Sequence, residues 1–276
     1  MTAITSPTAT VDPYAPGAPA PARRFLNHLN PLAKVGAVLP AMVLLIFVRD
    51  LATPLWFTAI AYALIVIGAR LTARTAALLF LAVPLGVIAI GFGFSLWVDA
   101  SGVDDTAPFL QIGGWTLFSG AVQIGFATAL RLASILALAL IGGLTTTGPD
   151  LVRAGIQHLR VPYRIGYTAL AAYRFVPRFG YELSVIRAAH RVRGQHGGRG
   201  PFARIARGWG YIVPLLAGAI RHAERVALAM DARAFGAHPT RTERHLVPFR
   251  TRDVVFIVLF ITASATIFAL TFPWQL

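Results

Sequence analysis

The segment Leu151–Arg250 contains two short cassettes, Ala188-Ala189-His190-Arg191-Val192-Arg193-Gly194 and Ala229-Met230-Asp231-Ala232-Arg233-Ala234-Phe235-Gly236. Each cassette is a helix-forming run of small residues that carries an arginine and stops at a glycine, the residue that most readily adopts the left-handed conformation ending a helix. The segment also holds 17 of the 25 basic residues of the chain but only 4 of its 11 acidic residues. Nearly all of the formal net charge of +14 therefore lies in one block.

The sequence outside this block has the composition of a membrane protein. Hydrophobic residues make up 56% of the 276 residues and charged residues only 13%, about half the charged share of a soluble domain. The mean hydropathy is +0.65. Five apolar runs approach the roughly 20 residues that a bilayer requires, so we predict five transmembrane helices, at about Pro31–Val48, Leu51–Ala69, Thr75–Val98, Leu117–Leu144 and Val254–Leu276.

Basic residues in the short loops orient the predicted chain. Arg70, Arg74 and the Leu151–Arg250 block fall on one side of the five spans, and the acidic loop Asp99–Asp105 falls on the other. The positive-inside rule then places the N-terminus and the basic block in the cytoplasm. We accordingly divide the chain into a disordered tail at 1–22, four transmembrane helices at 23–149, a cytoplasmic region at 150–251 and a C-terminal transmembrane helix at 252–276.

The cytoplasmic region is predicted to be helical. Leu151–Leu159 has apolar residues at helical spacing and is expected to end before Pro162. Two longer helical stretches follow, Tyr163–Arg193 and Pro201–Ala234. Because proline lacks a backbone N–H and clashes with the preceding turn, we expect interruptions at Pro177 and Pro214.

Two charges stand out within the apolar runs. Lys34, near the start of the first run, is expected to snorkel to the membrane surface. Arg131 lies inside the fourth run, where a charge is costly and indicates a functional residue by default. The equal alternative is that Arg131 snorkels at the cytoplasmic end or pairs with Asp150 or Glu182.

The residue types exclude several kinds of chemistry. The chain has no cysteine, which excludes disulfides, thiolate nucleophiles and cysteine-ligated metals. It also lacks the GxxxxGK[ST] loop, so it does not bind ATP by that device. The seven histidines show no metal-ligand spacing, and Glu224 is expected to pair within its helix with Arg221 or Arg225. We therefore predict a non-catalytic subunit without a metal or cofactor of its own.

The cassette arginines have two interpretations. An arginine in the last turn of a helix favours the negative end of the helix dipole, so Arg193 and Arg233 could simply terminate surface helices. Alternatively, each guanidinium projects into an acidic groove on another protein, where its planar head grips a carboxylate with two hydrogen bonds. The local pattern leaves both interpretations open.

The chain resembles a known family over about residues 25–272. The segment Asn30-Pro31-Leu32-Ala33-Lys34, in which Asn30 is also the predicted N-cap of the first helix, is similar to the N-terminal signature of the transmembrane T component of energy-coupling factor (ECF) transporters. So is Tyr173-Arg174-Phe175-Val176-Pro177, with Glu182 after it. The strongest matches are Ala189–Gly194 and Arg221–Gly236, which resemble the two Ala-Arg-Gly coupling motifs of that family. Here they read Val192-Arg193-Gly194 and Ala232-Arg233-Ala234.

The resemblance implies an all-α membrane protein of the plasma membrane, with about five transmembrane helices and a cytoplasmic coupling-helix domain. It implies two ABC-type ATPases as partners, which carry the ATP and Mg²⁺, and an S component in the membrane that binds a vitamin or metal ion. Arg193 would serve one ATPase and Arg233 the other, with ATP-driven closure moving the coupling helices. The supporting residues on those helices would be Arg191, Glu224, Asp231 and Gly236.

Two other classes of function remain as alternatives. A stand-alone channel or carrier would need polar residues along its spans, which are nearly absent apart from Arg131. A membrane-anchored protein that binds anionic lipid would use the basic block, because basic clusters beside a bilayer attract anionic headgroups. The block has little of the aromatic interleaving that is typical of single-strand nucleic-acid binders, so we predict no nucleic-acid partner.

Overall fold

A computed structural model of the chain describes residues 24–98, 103, 107–112, 115–194 and 200–271. Most of these residues are helical. A short 3₁₀ helix at Phe25–His28 comes first, and a five-residue π-helical stretch, Leu78–Ala82, joins the third and fourth helices. The α-helices are α1 Pro31–Phe47, α2 Ala52–Gly68, α3 Ala73–Ala77, α4 Val83–Ser95, α5 Ser119–Thr145, α6 Gly148–His158, α7 Tyr163–Val192, α8 Pro201–Asp231 and α9 Thr251–Thr271.

The apolar helices coincide with the five predicted spans. Helix α3, the π-helical stretch and α4 form one continuous helix, Ala73–Ser95. Among the described residues, this helix, Ser119–Thr145 and Thr251–Thr271 are long and apolar enough to cross a membrane. The helices α1 and α2 are also apolar but have 17 residues each, the lower limit for a span. The predicted all-α membrane protein is confirmed, whereas the crossing of α1 and α2 stays a prediction.

Part of the sequence-based description falls outside the described residues. This concerns the tail at 1–22, Arg23, most of the acidic loop Asp99–Asp105 and the C-terminal residues from 272 onward. The Gly/Pro-bearing segment Pro108–Trp115, for which the sequence predicts a re-entrant or surface piece, contributes to an antiparallel pair of strands, β1 Pro108–Ile112 and β2 Trp115–Phe118. The sequence signal for this pairing is Gly113-Gly114 between the two strands, since Gly-Gly is typical of two-residue hairpin turns.

The described chain divides into two compact units. The first unit comprises Ala20–Ala154 and Val247–Leu276, and the second contains Gly155–Leu246. Within the first unit, α5 packs against α1, α2 and α4. It does so with a stripe of small residues at every fourth position, which allows neighbouring helices to approach closely. Four of these are Ala121, Gly125, Ala129 and Ala133, of which the three alanines are at most 7% exposed.

The start of α1 is held by a buried polar cluster in the first unit. Asn30 caps the helix by accepting a hydrogen bond from the Leu32 amide, with Pro31 in the first turn, as the sequence predicts. The prediction that Lys34 snorkels is wrong, because its side chain is only 1% exposed. Its ammonium group donates to the carbonyl of Leu26 at 3.1 Å, and to the carbonyl and hydroxyl of Thr145 at 2.9 and 3.1 Å. Carbonyl groups at the C-terminal end of a helix lack partners within the helix, so the Thr145 carbonyl at the end of α5 is available to accept from the Lys34 ammonium group.

Asp253, in the first turn of α9, completes this cluster and was missed by the sequence analysis. Its carboxylate is 1% exposed and accepts hydrogen bonds from the backbone amides of Asn30 and Arg250, both at 2.7 Å. The Asn30 side chain in turn donates to the Val247 carbonyl at 3.1 Å. The beginnings of α1 and α9 are therefore fixed to each other by paired polar groups, as buried charges require.

In the second unit, α7 and α8 form an antiparallel hairpin. The ring of Phe175 in α7 lies edge-on to the ring of His222 in α8, with the two ring centroids 4.0 Å apart. Near the end of α7, the ring centroids of His190 and Tyr211 are 5.2 Å apart. Between these contacts, Glu182 lies 3.1 Å from where a side chain on Gly218 would begin, so glycine allows the close approach. Lost hydration, together with the nearby Arg178 and Arg225, lowers the pKa of His222, and Glu182 opposes that change.

The expected interruptions at Pro177 and Pro214 are wrong, because α7 has 30 residues, α8 has 31, and each proline lies inside its helix. Contacts between the two helices flank both prolines. Phe175 and Glu182 bracket Pro177, and both contact α8. Tyr211 and Gly218 bracket Pro214, and both contact α7. Tertiary packing therefore holds each helix together across the missing hydrogen bond.

Candidate functional site

The first cassette forms the C-terminal end of α7. Val192 is the last helical residue and is 90% exposed. Arg193 follows it, and its amide donates to the Ala189 carbonyl at 3.1 Å. Gly194 has a φ of +72° and its amide donates to the Arg191 carbonyl at 3.1 Å. The glycine thus takes the left-handed position that ends the helix, as the sequence predicts.

The second cassette ends α8 in a related way, but not at the predicted glycine. The helix ends at Asp231, and the left-handed residue that follows is Ala234, with a φ of +54°. The Ala234 amide donates to the Asp231 carbonyl at 2.9 Å, and the Phe235 amide donates to the Met230 carbonyl at 3.0 Å. These two hydrogen bonds make up the Schellman motif, so the expectation that Gly236 stops the helix is wrong.

Arg193 and Arg233 occupy equivalent positions in these two helix ends. Each arginine directly precedes the left-handed residue, Gly194 in one case and Ala234 in the other. Both arginines are exposed. Within the part of the chain that the structure describes, neither guanidinium has a hydrogen-bonding or ion-pairing partner. The described residues therefore leave the donors of both side chains available to another molecule.

The two arginines lie at opposite ends of the α7–α8 hairpin, because the helices are antiparallel and each arginine follows a C-terminus. The 30 residues of α7 correspond to a length of about 45 Å. That separation exceeds the roughly 30 Å diameter of a small domain. The hairpin therefore presents two separate contact points rather than one combined basic patch.

The end of the second cassette and the residues just after it are fixed to the start of α7. The rings of Phe235 and Tyr163 pack edge-on, with their centroids 5.8 Å apart. The Tyr163 hydroxyl donates a hydrogen bond to the His238 carbonyl at 2.6 Å. The Arg164 guanidinium donates to the Gly236 carbonyl. Gly236, with a φ of +89°, lies against the Arg164 side chain, where an added side chain would start 3.0 Å from the guanidinium. These contacts orient the end of α8 that carries Arg233.

The remaining candidate residues are placed as follows. Arg191 is exposed on the last turn of α7, and Asp231 is the exposed last residue of α8. The expected intrahelical ion pair of Glu224 is not formed, because Glu224 pairs with neither Arg221 nor Arg225 within the part of the chain that the structure describes. Glu224 is instead exposed on α8.

Arg131 binds the C-terminal end of α1. Its guanidinium donates to the Val48 carbonyl at 3.1 Å and to the Ile46 carbonyl at 3.3 Å. It therefore satisfies carbonyl groups that the end of a helix leaves without partners. The suggested pairing of Arg131 with Asp150 or Glu182 is wrong, since those carboxylates pair with Arg153 and Arg178.

Replacing Ala234 with glycine is expected to stabilise the end of α8. A left-handed backbone costs an alanine roughly 1–2 kcal/mol that a glycine does not lose, so Ala234→Gly should raise the free energy of unfolding by about 1 kcal/mol. The matched control is Ala232→Gly, because Ala232 has a right-handed helical φ of −61°. That change should lower stability by up to about 1 kcal/mol. Thermal melting of the purified chain in detergent distinguishes these opposite shifts.

The fold and the site together define a helical membrane protein with a cationic hairpin whose two ends carry exposed arginines. The family described as CbiQ, cobalt transport protein, matches residues 22–244. The energy-coupling factor transporter transmembrane protein EcfT of Staphylococcus aureus is 28% identical over 260 residues, covering 91% of this chain and 95% of its own length. The EcfT protein of Bacillus selenitireducens is 27% identical, covering 90% of this chain and 94% of its own length.

A further relative differs in length and in name. A chain of Bifidobacterium longum that is named as an ABC transporter ATP-binding protein is 30% identical over 279 residues. The match covers 95% of this chain but only 34% of that relative. The chain therefore belongs to the CbiQ family and is a transmembrane T component of the energy-coupling factor type.

Proposed function

We propose that this chain is the multi-pass coupling subunit of an ECF-type ABC importer in the plasma membrane. Two cytoplasmic ATPases bind the ends of the α7–α8 hairpin, one through Val192-Arg193-Gly194 and the other through Ala232-Arg233-Ala234. A substrate-binding S component in the membrane receives the movement that ATP binding drives. The cargo class is a vitamin or a metal ion, and the ATP and Mg²⁺ belong to the ATPases.

The observation that carries this proposal is the equivalence of the two helix ends. Arg193 and Arg233 both precede a left-handed residue, both are exposed, and neither has a partner among the described residues. A guanidinium that served only to cap its own helix would bond to the last carbonyls of that helix. Free donors at both ends support binding to carboxylates on another protein.

The spacing of the arginines supports two ATPases rather than one. Their separation of about 45 Å along the hairpin is too long for a single acidic groove. A rigid hairpin that contacts two subunits would transmit a change in the distance between those subunits as a tilt or displacement of its helices. The long relative of Bifidobacterium longum supports the nature of the partner, because it is named as an ATP-binding protein although a third of it resembles this chain.

Site-specific crosslinking tests the proposal while keeping both arginines in place. The chain has no cysteine, so Val192→Cys and Ala232→Cys each introduce a single reactive thiol beside one arginine. With a short bifunctional reagent, we expect each variant to crosslink to an ATPase subunit in the assembled complex. If the two ATPases differ in sequence, the two variants should capture different subunits.

The control is Val176→Cys, which introduces an exposed thiol in the middle of α7, away from both ends of the hairpin. It should give no crosslink to an ATPase. Crosslinks from Val176→Cys that equal those from the two end positions would show that the ATPases do not recognise the helix ends, and the proposal would then be wrong.

A further inference from the structure

The corner between α6 and α7 forms a polar cleft in the second unit that the coupling proposal does not use. The cleft has a volume of about 630 Å³, within the range of roughly 300–1,000 Å³ that is typical of small-molecule sites. Its lining includes three arginines, Arg160, Arg164 and Arg241, and a single acidic residue among the described lining residues, Glu243. The cleft is therefore a concave site with an excess of positive charge.

The two walls of the cleft are held together by side-chain hydrogen bonds. One wall is the α6–α7 corner and the other is the segment 236–245, which begins at the last residue of the second cassette. Gln157 donates to the His245 carbonyl at 2.8 Å, Tyr163 donates to the His238 carbonyl at 2.6 Å, and the Tyr167 hydroxyl donates to the Glu243 carboxylate at 2.5 Å. The cleft is thus preorganised by contacts that do not occupy all of its arginine donors.

The arginines themselves are positioned in different ways. Arg241 lies over the Tyr167 ring, with its guanidinium carbon 4.2 Å from the ring centroid. Arg164 uses one of its five N–H donors for the Gly236 carbonyl, and no other hydrogen bond of this guanidinium occurs among the described residues. Arg160 has a left-handed φ of +54° and has no partner among the described residues. The left-handed backbone ends α6, and the exposed guanidinium of Arg160 is placed in the lining of the cleft.

We propose that this cleft binds a phosphate oxyanion, with Arg160, Arg164 and Arg241 as its cationic ligands. Arginine suits this chemistry because its planar head donates two parallel hydrogen bonds to phosphate oxygens. The oxyanion is the headgroup phosphate of an anionic phospholipid or that of a soluble phosphate compound. Both sources carry the same phosphate charge, so the arginines do not distinguish between them. The chain reaches the cleft through α6, which begins at Gly148, shortly after the membrane helix α5 ends at Thr145.

The test uses the full chain purified in detergent, with two probes. Native mass spectrometry counts phosphatidylglycerol bound in competition with phosphatidylcholine, and titration calorimetry measures the binding of glycerol phosphate. The variant Arg160→Asn removes the free guanidinium, and asparagine tolerates the left-handed backbone. Loss of one charge-assisted contact to phosphate should weaken binding by on the order of tenfold. Selective binding of phosphatidylglycerol indicates the lipid source, and binding of glycerol phosphate indicates the soluble one.

Two further variants show whether a change in phosphate affinity comes from the cleft or from the net charge of the chain. Arg244→Gln removes an equal charge from the same segment, but Arg244 does not line the cleft, so the affinity should stay within about twofold of wild type. Glu243→Gln removes the acidic group from the cleft and should strengthen binding. The proposal is overturned if Arg160→Asn and Arg244→Gln weaken binding equally, if Glu243→Gln does not strengthen it, or if wild type binds neither probe.

Discussion

Replacing both Arg193 and Arg233 with glutamate is expected to abolish co-purification of the ATPases with this chain. Neither arginine has a partner within the described residues, so the substitutions remove no hydrogen bond or ion pair among those residues. An acidic groove on each ATPase would instead meet a carboxylate. Truncating one partner of a buried charge pair at an interface costs roughly 2–5 kcal/mol, and reversal of the charge adds repulsion. The amount of ATPase retained on the affinity-tagged chain measures the effect.

The single variants extend this prediction. Because the arginines lie at opposite ends of the hairpin, Arg193→Glu and Arg233→Glu should each weaken the contact with one ATPase and leave the other contact in place. The matched control is the double variant Arg225→Glu and Arg244→Glu, which makes the same change in net charge at exposed positions of the second unit outside both cassettes. It should retain both ATPases. Wild-type recovery of both ATPases with Arg193→Glu and Arg233→Glu combined would exclude the coupling role of these side chains.

Local signals in the sequence predict much of this structure correctly. Asn30 with Pro31 marks the start of α1, the apolar runs mark the membrane helices, and Gly194 marks the end of α7. These features depend on a few neighbouring residues, whose backbone preferences or hydrophobicity decide the outcome. For the same reason, the sequence identifies Arg193 and Arg233 as the residues at the two helix ends.

The errors arise where distant parts of the chain override the local signal. Pro177 does not interrupt α7, because contacts on both sides of it hold the helix against α8. Ala234 rather than Gly236 ends α8, and Gly236, which also has a left-handed φ, makes room for Arg164. Lys34 does not snorkel, because the end of α5 supplies acceptors that lie far away in the sequence. No pattern within the first apolar run could reveal those acceptors.

Replacing Lys34 with arginine is expected to destabilise the membrane unit strongly, although the positive charge is kept. Lys34 is the only lysine in a chain with 25 basic residues. Its three ammonium donors match three acceptors at 2.9–3.1 Å, in a site where the side chain is 1% exposed. A guanidinium is larger and planar, and its donors point in a fixed fork that does not match such a compact cradle. We expect a loss of roughly 3 kcal/mol in the free energy of unfolding, because buried acceptors that lose their donors cost about 1–3 kcal/mol each.

Lys34→Met removes the charge and the donors together, whereas Lys34→Arg keeps the charge. Methionine fills a similar volume without any donor, so it should also destabilise the unit, by leaving the carbonyls of Leu26 and Thr145 without the ammonium donor. The matched control is Arg74→Lys, an exposed exchange of the two basic residue types, which should leave the melting temperature in detergent unchanged. If Lys34→Arg melts at the wild-type temperature, any positive charge suffices at this position, and the fit between the ammonium group and its three acceptors does not explain why lysine occurs here.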